Sequence, residues 1–182
     1  MNTNQQYDTA VNSCRDIFLQ KTKDYGTSWR MYRTISVADQ IYIKAKRVRT
    51  IQEMGVQKIG DDIISEFKGI LNYGVIGLIQ LDIQDDELEE LPVETVQRLY
   101  NEKIAIAKKL MQDKNHDYGE AWREMSQESF IDLILAKILR IKQIISNKGK
   151  TIISEGIDAN FYDIINYAVF ALILIGEEVH GL

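Results

Sequence analysis

The chain has 182 residues, 45 % of them hydrophobic, enough for one domain or two small ones around a buried core. A net charge of −5 and a pI near 5.1 exclude the basic footprint of nonspecific nucleic-acid binding, while leaving room for a local basic pocket around a small anion. One cysteine excludes an intramolecular disulfide, and the longest apolar stretch, nine residues from Tyr167 to Ile175, falls short of the roughly 20 that span a bilayer.

No segment alternates with the period of a strand, so the chain reads as helical throughout. A first helix over 4–23 runs into Lys21-Thr-Lys-Asp24-Tyr25-Gly26-Thr-Ser-Trp29-Arg30, where Gly26 suits a left-handed C-terminal cap. A second helix over 37–54 follows Ser36-x-x-Asp39, which reads as a capping box with Asp in place of Glu, and Gly55 lies beyond its end. A third covers 61–82. The acidic run 82–90 reads as a solvated linker and helix start, and Pro92 opens the next helix.

The same series then returns. A helix over 93–116 leads into Lys114-Asn-His-Asp117-Tyr118-Gly119-Glu-Ala-Trp122-Arg123, which matches the first loop at six of ten positions with an offset of 93. Ser129-x-x-Asp132 opens a helix over 130–147, with Gly149 beyond its end, and the last helix covers 155–178. There Ile165-Asn166-Tyr167 answers Leu71-Asn72-Tyr73 at an offset of 94, one residue having entered the preceding loop. Small residues at 74, 77, 168 and 171 would let another helix approach closely. The expected fold is an all-α helical bundle, a tandem duplication of a three-helix unit over 1–84 and 85–182, packed as one domain with pseudo-twofold symmetry.

The candidate site residues are polar groups repeated on apolar helices. At about 100° per residue Lys44 and Arg47 fall on the side of Asp39, opposite Ala38, Ile41, Ala45 and Val48. Lys137 and Arg140 repeat the arrangement beside Asp132. Charges flanked by so much apolar surface call for partners, either a bound phosphate or carboxylates of the loop and third helix. Asn72 and Asn166 must satisfy their amides against backbone or a ligand such as a base edge. Asp39 and Asp132 read first as caps.

Asp163, one turn before Asn166, answers to Gly69, so the two halves are unequal. Glu66, spaced i, i+4 from Asp62, could stand in nearby or hold a cation with it, although two acids at a helix start usually complement the dipole. In the loops Trp29, Trp122, Tyr25 and Tyr118 are either core plugs or stacking surfaces. Lys21 with Asp24 and Lys114 with Asp117 have the spacing of ion pairs on a last helical turn. Cys14 shares a face with Val11 and Phe18 and reads as a buried thiol. His116 and His180 stand alone, and no zinc spacing, phosphate-loop motif or Ser–His–Asp set is present.

A twice-repeated KxxDYGxxWR, a Ser-x-x-Asp helix carrying Lys and Arg, and an Asn-Tyr helix resemble the nucleotide modification associated domain 1 family of bacteria and bacteriophages. The resemblance covers roughly 11–81 and 104–176. It implies a small all-helical protein linked to the synthesis or handling of modified nucleotides. More remotely, the layout resembles the all-α nucleoside triphosphate pyrophosphohydrolases of the MazG and dimeric dUTPase type. Those enzymes hold magnesium with Glu-x-x-Glu and Glu-x-x-Asp helices. Asp163-x-x-Asn166 echoes the second motif, and the first is replaced by Lys and Arg.

Three readings follow. In the preferred one a cytoplasmic protein without a membrane partner binds a small-molecule nucleotide. Lys44/Arg47 and Lys137/Arg140 grip phosphate, Asn72 and Asn166 read a base or sugar, and the loops with Lys21, Asp24, Tyr25, Trp29 and Arg30, and Lys114, Asp117, Tyr118, Trp122 and Arg123, wall the pocket. In the second a magnesium-dependent pyrophosphohydrolase uses Asp163 as its catalytic acid, with Asp158 or Asp117, and chemistry sits in the second half. In the third every repeated polar group is an internal ion pair or cap. The apolar third helices also suit a homodimer.

Overall fold

The computed structural model describes residues 1–55, 61–83, 89–152 and 154–180, with the backbone alone at 61, 62, 179 and 180. The centre of the acidic run, the side chain of Asp62 and that of His180 lie outside the described residues. The described elements are α1 (Thr3–Tyr25), α2 (Thr34–Met54), α3 (Asp61–Ile83), α4 (Val93–Tyr118), α5 (Gln127–Ser146) and α6 (Ile157–His180). A single 3-10 turn follows α1 (Ser28–Met31) and another follows α4 (Ala121–Glu124). The six helices match the expected ones in number and order, and no strand occurs among the described residues.

Two helix starts differ from expectation. α2 begins after Arg33 and α5 after Ser126, each about one turn before the Ser-x-x-Asp motif. Ser126 caps α5 by accepting from the Ser129 N–H, while α2 has no side-chain cap. Asp39 and Asp132 therefore sit inside helices and do not cap them. Each instead reaches across the pseudo-twofold: Asp39 pairs with Lys142 of α5 at 2.7 Å, and Asp132 with Arg49 of α2 at 3.1 Å. The two bonds are images of one another, since 142 follows 49 by the same 93 positions that separate 132 from 39.

α3 and α6 form the most extensive pair, α2 packs on α3, α5 packs on α6, and α2 and α5 meet each other. α1 and α4 pack together and on both α3 and α6. The small residues expected to allow close approach do so here. A Cβ at Gly74 would stand 2.9 Å from the Ile165 side chain, and one at Gly77 would stand 2.7 Å from the Phe161 ring. Burial of α6 accounts for its composition: Ile157–Glu178 is long and apolar enough to cross a membrane, yet 61 % of its most apolar window is buried inside the protein.

Cross-links between the repeats pass through the two buried asparagines. Asn72 donates to the Cys14 carbonyl at 3.1 Å and accepts from the Tyr100 hydroxyl at 2.8 Å. Asn166 donates to the Ala107 carbonyl at 3.0 Å and accepts from the Tyr7 hydroxyl at 2.7 Å. Each amide thus ties α1 or α4 of its own repeat to a tyrosine of the other. Tyr7 and Tyr100 are fully buried, as is Cys14, whose thiol is pushed up to about 12 by burial.

Gly26 and Gly119 close the first helix of each repeat with φ of 66° and 63°, but with extended ψ of −148° and −156° rather than the left-handed helical values expected. That region is open essentially to glycine alone. It turns the chain so that Thr27 becomes fully buried, donates its hydroxyl to the Glu89 carbonyl at 2.9 Å and accepts from the Leu91 N–H at 3.0 Å. The end of the linker between the repeats is clamped to the first loop in this way.

Candidate functional site

The repeat places two equivalent sites, one where α1, α2 and α3 meet and one where α4, α5 and α6 meet. They are built differently. In the second half Asp163, 12 % exposed, accepts from Lys114 on Oδ1 at 2.8 Å and is paired with Lys137 on Oδ2 at 2.8 Å. Burial takes hydration from Lys114, but the hydrogen bond and charge of Asp163 outweigh it and hold the ammonium above the usual lysine range. Beside this triad Trp122 stacks on Phe170 with centroids 4.2 Å apart and donates its indole N–H to Asn115 Oδ1 at 3.2 Å.

In the first half Gly69 replaces Asp163. The Lys44 side chain lies over it, its Cδ and Cε 3.0 Å from where a Cβ would stand, and its Nζ reaches Glu66 at only 3.7 Å. Lys21, the counterpart of Lys114, has no carboxylate within 4.0 Å among the described residues. The room left is a cavity of about 520 Å³. Lys21, Lys44, Lys68 and Glu66 line it, together with Phe18, Tyr25, Trp29, Tyr32 and Tyr73, and Asn72 is part of its wall. The Lys44 ammonium stands 5.8 Å from the Tyr73 ring centroid. Burial first, and then the neighbouring Tyr32, raise the Tyr73 phenol, so it stays protonated as a donor at neutral pH.

The structure brings together Lys21, Tyr25, Trp29, Lys44 and Asn72 around this cavity. Other expected residues lie elsewhere. Arg47, half exposed, bonds Glu66 at 2.9 Å without lining the cavity. Arg30 is turned away, donating to Gln80 and to the Ile83 carbonyl. Arg123 covers the Trp122 ring at 4.5 Å and bonds Thr3, Gln6, Glu120 and Glu177. Asp24, Asp117 and Tyr118 are exposed, and Asp117 bonds His116 while Lys114 bonds Asp163, so the expected i, i+3 pairs do not form. Lys137 and exposed Arg140 line a second, more open cavity of about 760 Å³ with Lys150, Glu155 and Asn160 and no aromatic wall.

Of the two alternatives for the buried asparagines, backbone or ligand, both amides take the backbone one, donating to the Cys14 and Ala107 carbonyls. Trp29 and Trp122 are core plugs, 7 % and 6 % exposed. Magnesium fits poorly at Asp163: it prefers several oxygen ligands, and both oxygens here face ammonium groups. No group of three His, Cys, Asp or Glu able to hold a metal occurs among the described residues.

Sequence reasoning missed Lys68, Tyr32 and Tyr73 of the cavity wall. The counterparts of Lys68 and Tyr32 are Tyr162 and Met125, so a search for repeated polar residues passes over them. The usable signal is the inverse one, residues that break the repeat on the face where Gly69 breaks it.

Comparison with known proteins agrees with this duplicated architecture. No curated protein and no solved structure matches the chain. The profile of the family described as nucleotide modification associated domain 1 matches twice, over residues 21–81 and 114–175, and the two matches start at Lys21 and Lys114. Those segments hold both loops, the ion triad and most of the cavity-lining residues, and cover more than half of the chain. The chain belongs to the nucleotide modification associated domain 1 family.

Proposed function

We propose that this protein binds a nucleotide in the cavity of its first half and acts in nucleotide or modified-base metabolism, in the cytoplasm. The observation that carries the reading is the make-up of that cavity. Three lysines face one described carboxylate, and three exposed or partly exposed tyrosines, with the buried Trp29, adjoin them. A nucleotide has the same two parts, an anionic phosphate for the ammonium groups and a flat base for aromatic faces. A cavity of about 520 Å³ lies within the range that holds a small ligand. Membership of a family associated with nucleotide modification supports the same class of ligand.

The pyrophosphohydrolase reading is less favoured, because Asp163 is already neutralised by two lysines and lies in the half without the aromatic cavity. A thermal-shift screen against ribo- and deoxynucleotides, each with and without Mg²⁺, tests the proposal. A ligand that binds only the native state raises the melting temperature by mass action. The expected result is a shift for one nucleotide class that is lost in Lys21→Ala. A flat panel at millimolar ligand refutes it, and a shift that requires Mg²⁺ with release of pyrophosphate favours the hydrolase.

A further inference from the structure

The duplication allows one half to be read against the other. Residue 69 stands where Asp163 stands, and Thr22 stands where Asn115 stands. In the second half these two residues are acceptors, Asp163 for Lys114 and Lys137, and Asn115 for the Trp122 indole N–H. In the first half neither position serves as the corresponding acceptor. Gly69 has no side chain, and the Thr22 hydroxyl donates to the Phe18 carbonyl at 2.8 Å.

The donors remain. The Trp29 indole N–H is buried without an acceptor among the described residues, and Trp29 lines the cavity. A buried donor left unpaired is destabilising, which makes two coincident losses of acceptor on one cavity wall hard to account for by packing alone. Lys21 faces the same cavity with no carboxylate within 4.0 Å among the described residues, and Lys44 approaches Glu66 no closer than 3.7 Å.

We propose that a phosphate group of the ligand sits over Gly69 between Lys21 and Lys44, where the second half holds the Asp163 carboxylate. The ligand is a phosphomonoester, a nucleoside monophosphate on the functional reading given above, on which this inference rests. The second half carries its own anion and binds none, so each chain has one working phosphate subsite. Charge supports the phosphomonoester. Among the described lining residues Lys21, Lys44 and Lys68 exceed Glu66 by two positive charges, matching a group that carries about −1.5 to −2 at neutral pH.

Isothermal titration of the full chain with AMP, dTMP, adenosine, thymidine and inorganic phosphate tests the subsite in wild type and in Gly69→Asp. The substitution installs the anion of the second half. Only the flexible end of Lys44 must shift to admit it, as Lys137 already does for Asp163. Monophosphates are expected to bind at one per chain and nucleosides at least about tenfold more weakly. Gly69→Asp is expected to lose monophosphate binding by about tenfold to a hundredfold while melting no lower than wild type. Lys21→Gln, at an exposed position, serves if Gly69→Asp does not fold, and should weaken monophosphates while sparing nucleosides.

Unchanged monophosphate binding in folded Gly69→Asp overturns the subsite. Nucleosides binding as tightly as monophosphates also overturn it but leave the nucleotide cavity standing. Inorganic phosphate binding that Gly69→Asp abolishes, with no nucleotide tighter than phosphate, keeps the subsite and overturns the nucleotide reading. Silence from all five probes overturns both.

Discussion

Replacing Tyr7 and Tyr100 by phenylalanine tests whether the repeats are held together through their buried asparagines. Each hydroxyl donates to an asparagine Oδ1, at 2.7 Å for Tyr7 and 2.8 Å for Tyr100. Removing one leaves that oxygen without its tyrosine donor in a site where Asn166 is 5 % and Asn72 is 9 % exposed. The cost is about 1–3 kcal/mol per substitution, and each kcal/mol lowers the melting temperature of a domain of this size by about 2–4 °C. The pH dependence gives a second, independent reading. Burial raises both phenols well above their ordinary value, most strongly through desolvation. Above the unfolded tyrosine value of about 10, the unfolded chain gives up protons that the native chain keeps. The contribution is therefore full below about pH 10 and is lost as pH rises from there toward the folded values. The double variant should be less stable than wild type at pH 7 and lose stability less steeply above about pH 10. Urea unfolding followed by circular dichroism from pH 7 to 11 measures both. Equal stability at pH 7, or parallel alkaline slopes, refutes the cross-link.

Three further substitutions probe separate parts of the architecture. Gly77→Val puts side-chain atoms into the Phe161 ring, whose nearest carbon lies 2.7 Å from a built Cβ, and should cost about 1–3 kcal/mol or more by denaturant unfolding. Gly26→Ala forces a Cβ into a glycine-only backbone conformation at φ 66° and against the Glu90 carboxylate. It should cost about 1–3 kcal/mol and speed proteolysis at the linker between the repeats. Asp39→Asn removes an exposed half of the Asp39–Lys142 pair and should change stability by less than about 1 kcal/mol, an effect that fades in high salt.

The fold was legible because duplication doubles every signal. Helix periodicity, the glycine stops and the asparagine-tyrosine motif each occur twice, at an offset of 93 or 94, and the α3–α6 contact was foreshadowed by Gly74 and Gly77. Helix starts were less legible. Ser36 and Ser129 have capping spacing, but Arg33 and Ser126 open the helices a turn earlier, and the aspartates pair across α2 and α5 instead. Repetition also misdirected the reading of the site. Asn72 and Asn166 recur because both halves need the same internal bonds, whereas Lys68 and Tyr32 occur once. The inequality of Gly69 and Asp163 was visible, but the expectation used it only to place any chemistry with the acid in the second half. An acid already held by two lysines is a satisfied group, and the cavity with an aromatic wall lies where the acid is missing.

The two tryptophans provide a direct test of which half takes ligand. Trp29 lines the cavity of the first half, and Trp122 is stacked on Phe170 in the second. In Trp122→Phe the remaining emission reports the first half, and in Trp29→Phe it reports the second. Titration with the nucleotide selected by thermal shift should change the emission of Trp29 in a saturable way and leave that of Trp122 unaltered. A saturable change at Trp122 with none at Trp29 would contradict the account.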